Sequence, residues 1–261
     1  MKRRIAVGDA TRAGICAALA LMLGACGADP DAAPRTPPET PTSWAAPARL
    51  ETAAFGADGV TLTGTAAPGD RVVLTDRAGV SVAATAGADG LFSLLLPPSG
   101  EVTLHQAEIQ SRGSQARTGE WLVVQPGPRP VAALVAPGAA TIPLNRTRLL
   151  AAVDYDGAGV LVSGSARPGQ TVRTSLDGGP PKPVIADQTG RHVARFPAVP
   201  PGPRRLRVET DDGAQDVVLV LGRPSDGLRA AVSGAATRID WPTPGGGFQA
   251  SWILHSTPGE D

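Results

Sequence analysis

Val60-Thr-Leu-Thr-Gly64-Thr-Ala-Ala-Pro68-Gly69 returns one hundred residues later as Val160-Leu-Val-Ser-Gly164-Ser-Ala-Arg-Pro168-Gly169. Apolar residues alternate with polar ones at Val60/Leu62 and again at Val160/Val162, the period of a half-buried strand. Pro-Gly then closes each segment with a tight turn. The same offset matches Leu50 with Leu150, Phe55 with Tyr155, Val72 with Val172, Gly90 with Gly190 and Pro97 with Pro197. A period of this length is too long for a solenoid repeat and implies a duplicated domain.

Outward from that stretch the pattern stays β. In the first copy Val72/Leu74 opens the next strand, Ala88-Asp89-Gly90 turns, and Phe92/Leu94/Leu96 alternates. In the second copy Gln188-Thr189-Gly190 leads into His192/Ala194/Phe196. Val102/Leu104 and Leu206/Val208 follow, and Trp121–Val124 and Val217–Leu221 close the copies. The last, a continuous apolar run, suits a central strand buried on both faces. Helical spacing with caps is absent after residue 25, so the expected class is all-β, with six or seven short strands per copy in a sandwich.

These turn residues resemble those of bacterial immunoglobulin-like repeats and, nearly as closely, those of the carboxypeptidase-regulatory-like (transthyretin-like) sandwich. The resemblance covers residues 50–125 and 150–222 and leaves both topologies open. His192, where the first copy has Phe92, implies either a polar group on the core face or a local slip of register.

The chain of 261 residues begins with Lys2, Arg3 and Arg4, followed by an apolar run from Ala13 to Leu23 and then Leu23-Gly24-Ala25-Cys26. A charged start, a short apolar stretch and small residues are the parts of an export signal. The apolar run is too short to span a bilayer, which takes roughly 20 residues of helix. Leu23, Gly24, Ala25 and Cys26 resemble the lipobox of bacterial lipoproteins. That resemblance implies cleavage before Cys26 and lipidation of its sulfur. Two or three acyl chains then give stable anchoring where one does not. Gly27 after the cysteine implies, by analogy with enterobacterial sorting, the outer membrane facing the periplasm.

Cys16 would leave with the signal, so Cys26 would be the sole thiol of the mature chain and no internal disulfide is expected. From Gly27 to Ala48 the chain is rich in proline and reads as an extended tether, reaching up to roughly 70 Å. The expected organisation is a signal peptide (1–25), a lipidated tether (26–48), a first sandwich (49–125), a linker (126–148), a second sandwich (149–223) and a C-terminal hairpin (224–261). In the linker, Val131–Val135 and Thr141–Leu144 are expected to add strands to the second sandwich, with Pro143 confining the latter to an edge.

The hairpin is read from Ala236–Trp241 and Phe248–Leu254 around Pro-Gly-Gly-Gly. Period two puts Ile239 and Trp241 on one face, and Phe248, Ala250, Trp252 and Leu254 on one face of the other strand. Trp241, Phe248 and Trp252 are therefore candidates for an aromatic surface that takes a glycan or a partner protein. The simpler reading is that this face covers the second sandwich or belongs to a truncated third one.

The 24 basic and 24 acidic residues cancel. Four of the former and one of the latter precede Cys26, leaving a mildly acidic mature chain, so nucleic acid is not an expected partner. His105, His192 and His255 lack metal-ligand spacing, and no nucleophile elbow occurs. Asp154-Tyr-Asp156-Gly157 and Asp211-Asp212-Gly213 have a faint look of calcium loops but read more simply as turns. No cofactor, metal or catalytic residue is expected. The reading is a non-enzymatic envelope lipoprotein serving adhesion, scaffolding or envelope assembly. It would be membrane-bound through the lipid on Cys26, with an envelope protein or a glycan as its partner. The alternative is a carbohydrate- or peptidoglycan-binding accessory protein.

Overall fold

The computed structural model describes residues 46–111, 114–145 and 147–255. The lipobox Leu23–Cys26 and Trp44 lie outside them. Among the described residues every regular element is a strand, and no helix is long and apolar enough to cross a membrane.

The first copy holds seven strands: β1 (Arg49–Gly56), β2 (Gly59–Thr65), β3 (Arg71–Asp76), β4 (Ser81–Thr85), β5 (Leu91–Leu96), β6 (Thr103–Ser111) and β7 (Ser114–Gln125). They form a three-stranded sheet, β1-β2-β5, and a sheet that begins β4-β3-β6-β7. Two more strands, β8 (Val131–Val135) and β9 (Ile142–Pro143), extend that second sheet beyond β7. The second copy repeats the arrangement with β10 (Ala152–Tyr155), β11 (Val160–Ser165), β12 (Thr171–Leu176), β13 (Lys182–Ile185), β14 (Arg191–Phe196), β15 (Gly202–Thr210) and β16 (Gly213–Leu221). Its sheets are β14-β11-β10 and β13-β12-β15-β16. The remaining strands, β17 (Arg229–Ser233), β18 (Ala236–Pro242) and β19 (Phe248–Leu254), join the three-stranded sheet through the β10–β19 pair.

This three-plus-four antiparallel arrangement is the sandwich of the immunoglobulin-like class. It corrects three expectations. Val217–Leu221, read as a central strand buried on both faces, ends its sheet as β16, with Val218 and Val220 exposed. Val131–Val135 and Ile142–Pro143 pair with the first copy, not the second. The C-terminal hairpin is no separate piece, because β19 pairs with β10 from Ala152↔Ile253 to Tyr155↔Ala250. Pro143 does sit on the last strand of its sheet, where a missing N–H breaks no ladder.

The repeat also sets equivalent registers. Gly64 pairs with Phe92 and Gly164 with His192, so the histidine causes no slip. A Cβ on Gly64 would come within 2.1 Å of the Arg49 carbonyl oxygen, and one on Gly164 within 2.1 Å of that of Leu149. Both glycines are needed because the chain entering the first strand of each copy crosses the second strand at contact distance.

The described residues fall in one compact unit, with three apolar layers inside it. The first lies between the sheets of copy one and includes Leu62, Leu74, Phe92 and Ile109. Another lies within copy two and includes Tyr155, Val162, Leu206, Leu219 and Trp252. The third joins the copies: Leu104, Val123, Val131, Ala133 and Val135 pack against Ile239, Trp241 and Ile253. Alternation explains how one hairpin serves two layers. Trp252 and Leu254 point into copy two, while Ile253 and Trp241 point out toward copy one.

Candidate functional site

The three aromatic residues singled out in the hairpin do not form a surface. Trp241 and Trp252 have no exposed area, and Phe248 is half-buried. The physical reason is the pairing with β10, which turns a two-sided hairpin into the middle of a six-stranded sheet with an apolar layer on each face. Arg238 stacks over the Trp252 ring at 4.9 Å and closes that end of the core.

Beside Trp241 the third layer contains a polar cluster that sequence reasoning passed over as a turn. Asp154 is 2 % exposed on β10. The Thr141 amide donates to its Oδ2 at 2.7 Å, and the Thr141 hydroxyl to its Oδ1 at 2.6 Å. Ser251 Oγ donates to Oδ1 at 2.5 Å and in turn accepts from Trp241 Nε1 at 3.1 Å. Burial pushes the Asp154 carboxyl above its ordinary value, and the donors from Ser251, Thr141 and Gln249 pull part of the way back. The cluster ties the segment between β8 and β9 to copy two, so it is a clamp between the copies. Only the tertiary fold brings Thr141, Asp154 and Ser251 together. A lone aspartate flanked by apolar residues was the available sign.

The histidines are equally structural. His192 is buried, and its Nε2 donates to the Leu149 carbonyl at 2.7 Å, leaving Nδ1 without a partner. Burial lowers its pKa below 6.5, and the Leu149 bond acts the other way. His105 is likewise lowered by burial, partly countered by the charge of Asp76, and its Nε2 meets Thr103 Oγ1 at 2.8 Å. His255 sits between the copies: Arg129 donates to its Nδ1 at 2.7 Å, and its Nε2 meets Thr237 Oγ1 at 2.8 Å. Arg148 also donates to the His255 carbonyl.

The aspartates of both candidate calcium loops are engaged by the protein itself. Asp156 Oδ1 accepts from the amides of Ala158 and Gly159, an Asx turn. Asp211 and Asp212 pair with Arg173 and Arg167 at 3.2 and 2.6 Å. Among the described residues no cluster of His, Cys, Asp or Glu has the geometry of a metal site.

A groove of about 640 Å³ lies between the copies. One wall is β1 with Glu51 and Thr52, the other is the segment Ala140–Asn145, and the floor is β11 and β14 with Ser163, Ser165, Arg191 and Val193. Ser163, His192 and Asp187 all border it, which is a nucleophile, a base and an acid by residue type. Each makes its hydrogen bonds elsewhere. Ser163 donates to the Thr141 and Ala152 carbonyls at 3.1 and 3.4 Å. His192 is committed to Leu149. Asp187 Oδ1 takes the Thr189 hydroxyl and the Thr189 and Arg191 amides. Among the described residues no hydrogen bond links the three.

Comparison with known proteins agrees with the sandwich. Residues 46–119 match the family model described as bacterial Ig domain. No curated protein matches. Among solved structures the chain is similar to a two-domain fibronectin type-III segment of chicken tenascin, at 14% identity over 67% of this chain and 98% of that one, with a TM-score of 0.22. It is also similar to a Ca²⁺-stabilised adhesin with which an Antarctic bacterium reaches out and binds ice, at 13% identity over 81% of this chain and 66% of that one, again with a TM-score of 0.22.

Proposed function

We propose that this chain is a non-enzymatic envelope lipoprotein whose two immunoglobulin-like sandwiches act as one stiff spacer for adhesion, scaffolding or envelope assembly. The third apolar layer is the observation that carries this reading. With Trp241 and Ile253 packed against Val123 and Ala133, the copies do not swing as beads on a string. Polar side chains that resemble catalytic groups are committed to holding backbone: Ser163 to Thr141 and Ala152, and His192 to Leu149. The anchor rests on the sequence Leu23-Gly24-Ala25-Cys26. Two or three acyl chains on Cys26 would hold the spacer at a membrane, and the proline-rich tether would set it off from the lipid.

Replacing Cys26 with alanine tests the anchor. Labelling with a clickable fatty acid should disappear, and the protein should leave the membrane fraction. Undiminished labelling would falsify the lipidation. Glycan capture by Trp241, Phe248 and Trp252 is not retained, because two of the three rings have no exposed area.

A further inference from the structure

The duplicated sheets end differently, and the difference exposes one strand. In copy one the edge of β7 is covered by β8, which pairs with it from Trp121↔Val135 to Gln125↔Val131. In copy two, among the described residues, the equivalent strand β16 pairs with β15 alone and ends its sheet. It carries no proline, lysine or arginine, and its run Val217-Val218-Leu219-Val220-Leu221 has high strand propensity. Val217, Leu219 and Leu221 face the core, while Val218 and Val220 are 62% and 61% exposed. Edges of this length and character are normally blunted by a charge, a proline or a covering strand.

We infer that β16 pairs with the β16 strand of a second copy of this chain, across a twofold axis at Leu219, to make one continuous eight-stranded sheet. Side chains directly opposite one another in an antiparallel pair share a face, so a twofold axis must pass through a residue. An axis at Leu219 sets Val218 against Val220 of the other copy twice, and Val217 against Leu221 twice. It keeps the two Asp216 carboxylates at opposite ends of the contact. An axis at Asp216 would instead oppose like charges, which destabilises a pair. The chain's own tail is a poor occupant, since Pro30, Pro34, Pro37, Pro38 and Pro41 lack the N–H a ladder requires. In copy one the chain itself supplies β8 for the same edge, which shows that this face of the fold accepts a strand.

Sedimentation velocity on the full chain in mild detergent tests this. The series should reach roughly 200 µM, since small interfaces are weak. The wild type should shift from monomer to dimer with concentration. The Val218→Lys/Val220→Lys variant should weaken the association at least about tenfold. Val80→Lys, at an exposed valine of copy one, should leave it unchanged. Both lysine variants alter exposed positions, and circular dichroism checks their fold. Independently, mixing Val218→Cys chains with Val220→Cys chains should give an oxidised heterodimer in excess of either homodimer. A wild type that stays monomeric, a dimer indifferent to the two lysines, or cysteine pairs no better matched than chance each overturns the proposal.

Discussion

The two copies share seven strands and equivalent registers, yet each covers a different edge. Copy one extends its four-stranded sheet beyond β7 and leaves β1 at the edge of its three-stranded sheet. Copy two does the reverse: β19, β18 and β17 build out from β10, and β16 is left open. Phe55 and Tyr155 record the consequence. They hold matching registers, opposite Val60 and Val160, but Phe55 is 37% exposed while Tyr155 is fully buried. The additions lie on the two sheets that face each other, so what differs between the copies is what joins them.

The join breaks most severely at Trp241. Trp241→Ala should cost about 3–5 kcal/mol, the usual range for removing a buried tryptophan. Because the loss falls between the copies, chemical denaturation should change from one transition to two. A single unshifted transition would contradict a load shared through the third layer.

Gly64→Ala and Gly164→Ala probe what the copies have in common. Each new Cβ meets a backbone carbonyl at 2.1 Å, and such overpacking typically costs about 1–3 kcal/mol. The two losses, read from urea midpoints, should be similar if the repeat is as regular as its register.

The edge of β1 has only a side-chain substitute for a neighbouring strand. Asn145, at φ 62°, accepts from the Ala53 amide through Oδ1 at 3.1 Å and donates from Nδ2 to the Ala53 carbonyl. Asn145→Ala should lower the melting free energy by about 1–2 kcal/mol, measured calorimetrically, since two backbone groups lose their partner. No residue of copy two should be as sensitive in this role, because β19 covers that edge.

The buried titratable groups give the smallest effects, and they have opposite signs. The folded Asp154 carboxyl titrates above its ordinary 3.8. Between 3.8 and that raised value the folded state holds a proton that the unfolded chain has lost, so this group's contribution declines as pH rises through the interval. Asp154→Asn should flatten that slope without much loss near pH 7, as seen in midpoints measured across pH. His192 titrates below 6.5 in the fold. Below 6.5 the unfolded chain takes the proton first, so stability falls as pH drops toward the folded value. His192→Phe, which copies the residue of the first repeat, should remove part of that acid sensitivity, and His105 should account for part of what remains. An unchanged acid limb in both single variants would contradict burial as the cause.

Much of this was legible in the residues alone. Period-two alternation and the Pro-Gly turns place β2 and β11, because side-chain alternation and turn chemistry are local. Asp156 and the Asp211-Asp212 pair read as turns for the same reason. The destination of Val131–Val135 did not follow, since an alternating strand states which face is apolar and not which neighbour it will join. The hairpin aromatics failed on that point too. Trp241 and Trp252 look alike in sequence, and only the pairing of β19 with β10 sends them into different layers and away from solvent.

The sequence by itself determined an all-β chain, a duplication with a hundred-residue offset, and the glycines and turns that set each copy's register. Those properties depend on backbone conformation within a few residues. Tertiary structure alone decided which sheet each added strand extends, that Thr141, Asp154 and Ser251 close on one another, and that β16 keeps a free edge. Those depend on burying apolar faces between segments distant along the chain, where many pairings satisfy the local pattern and packing selects one.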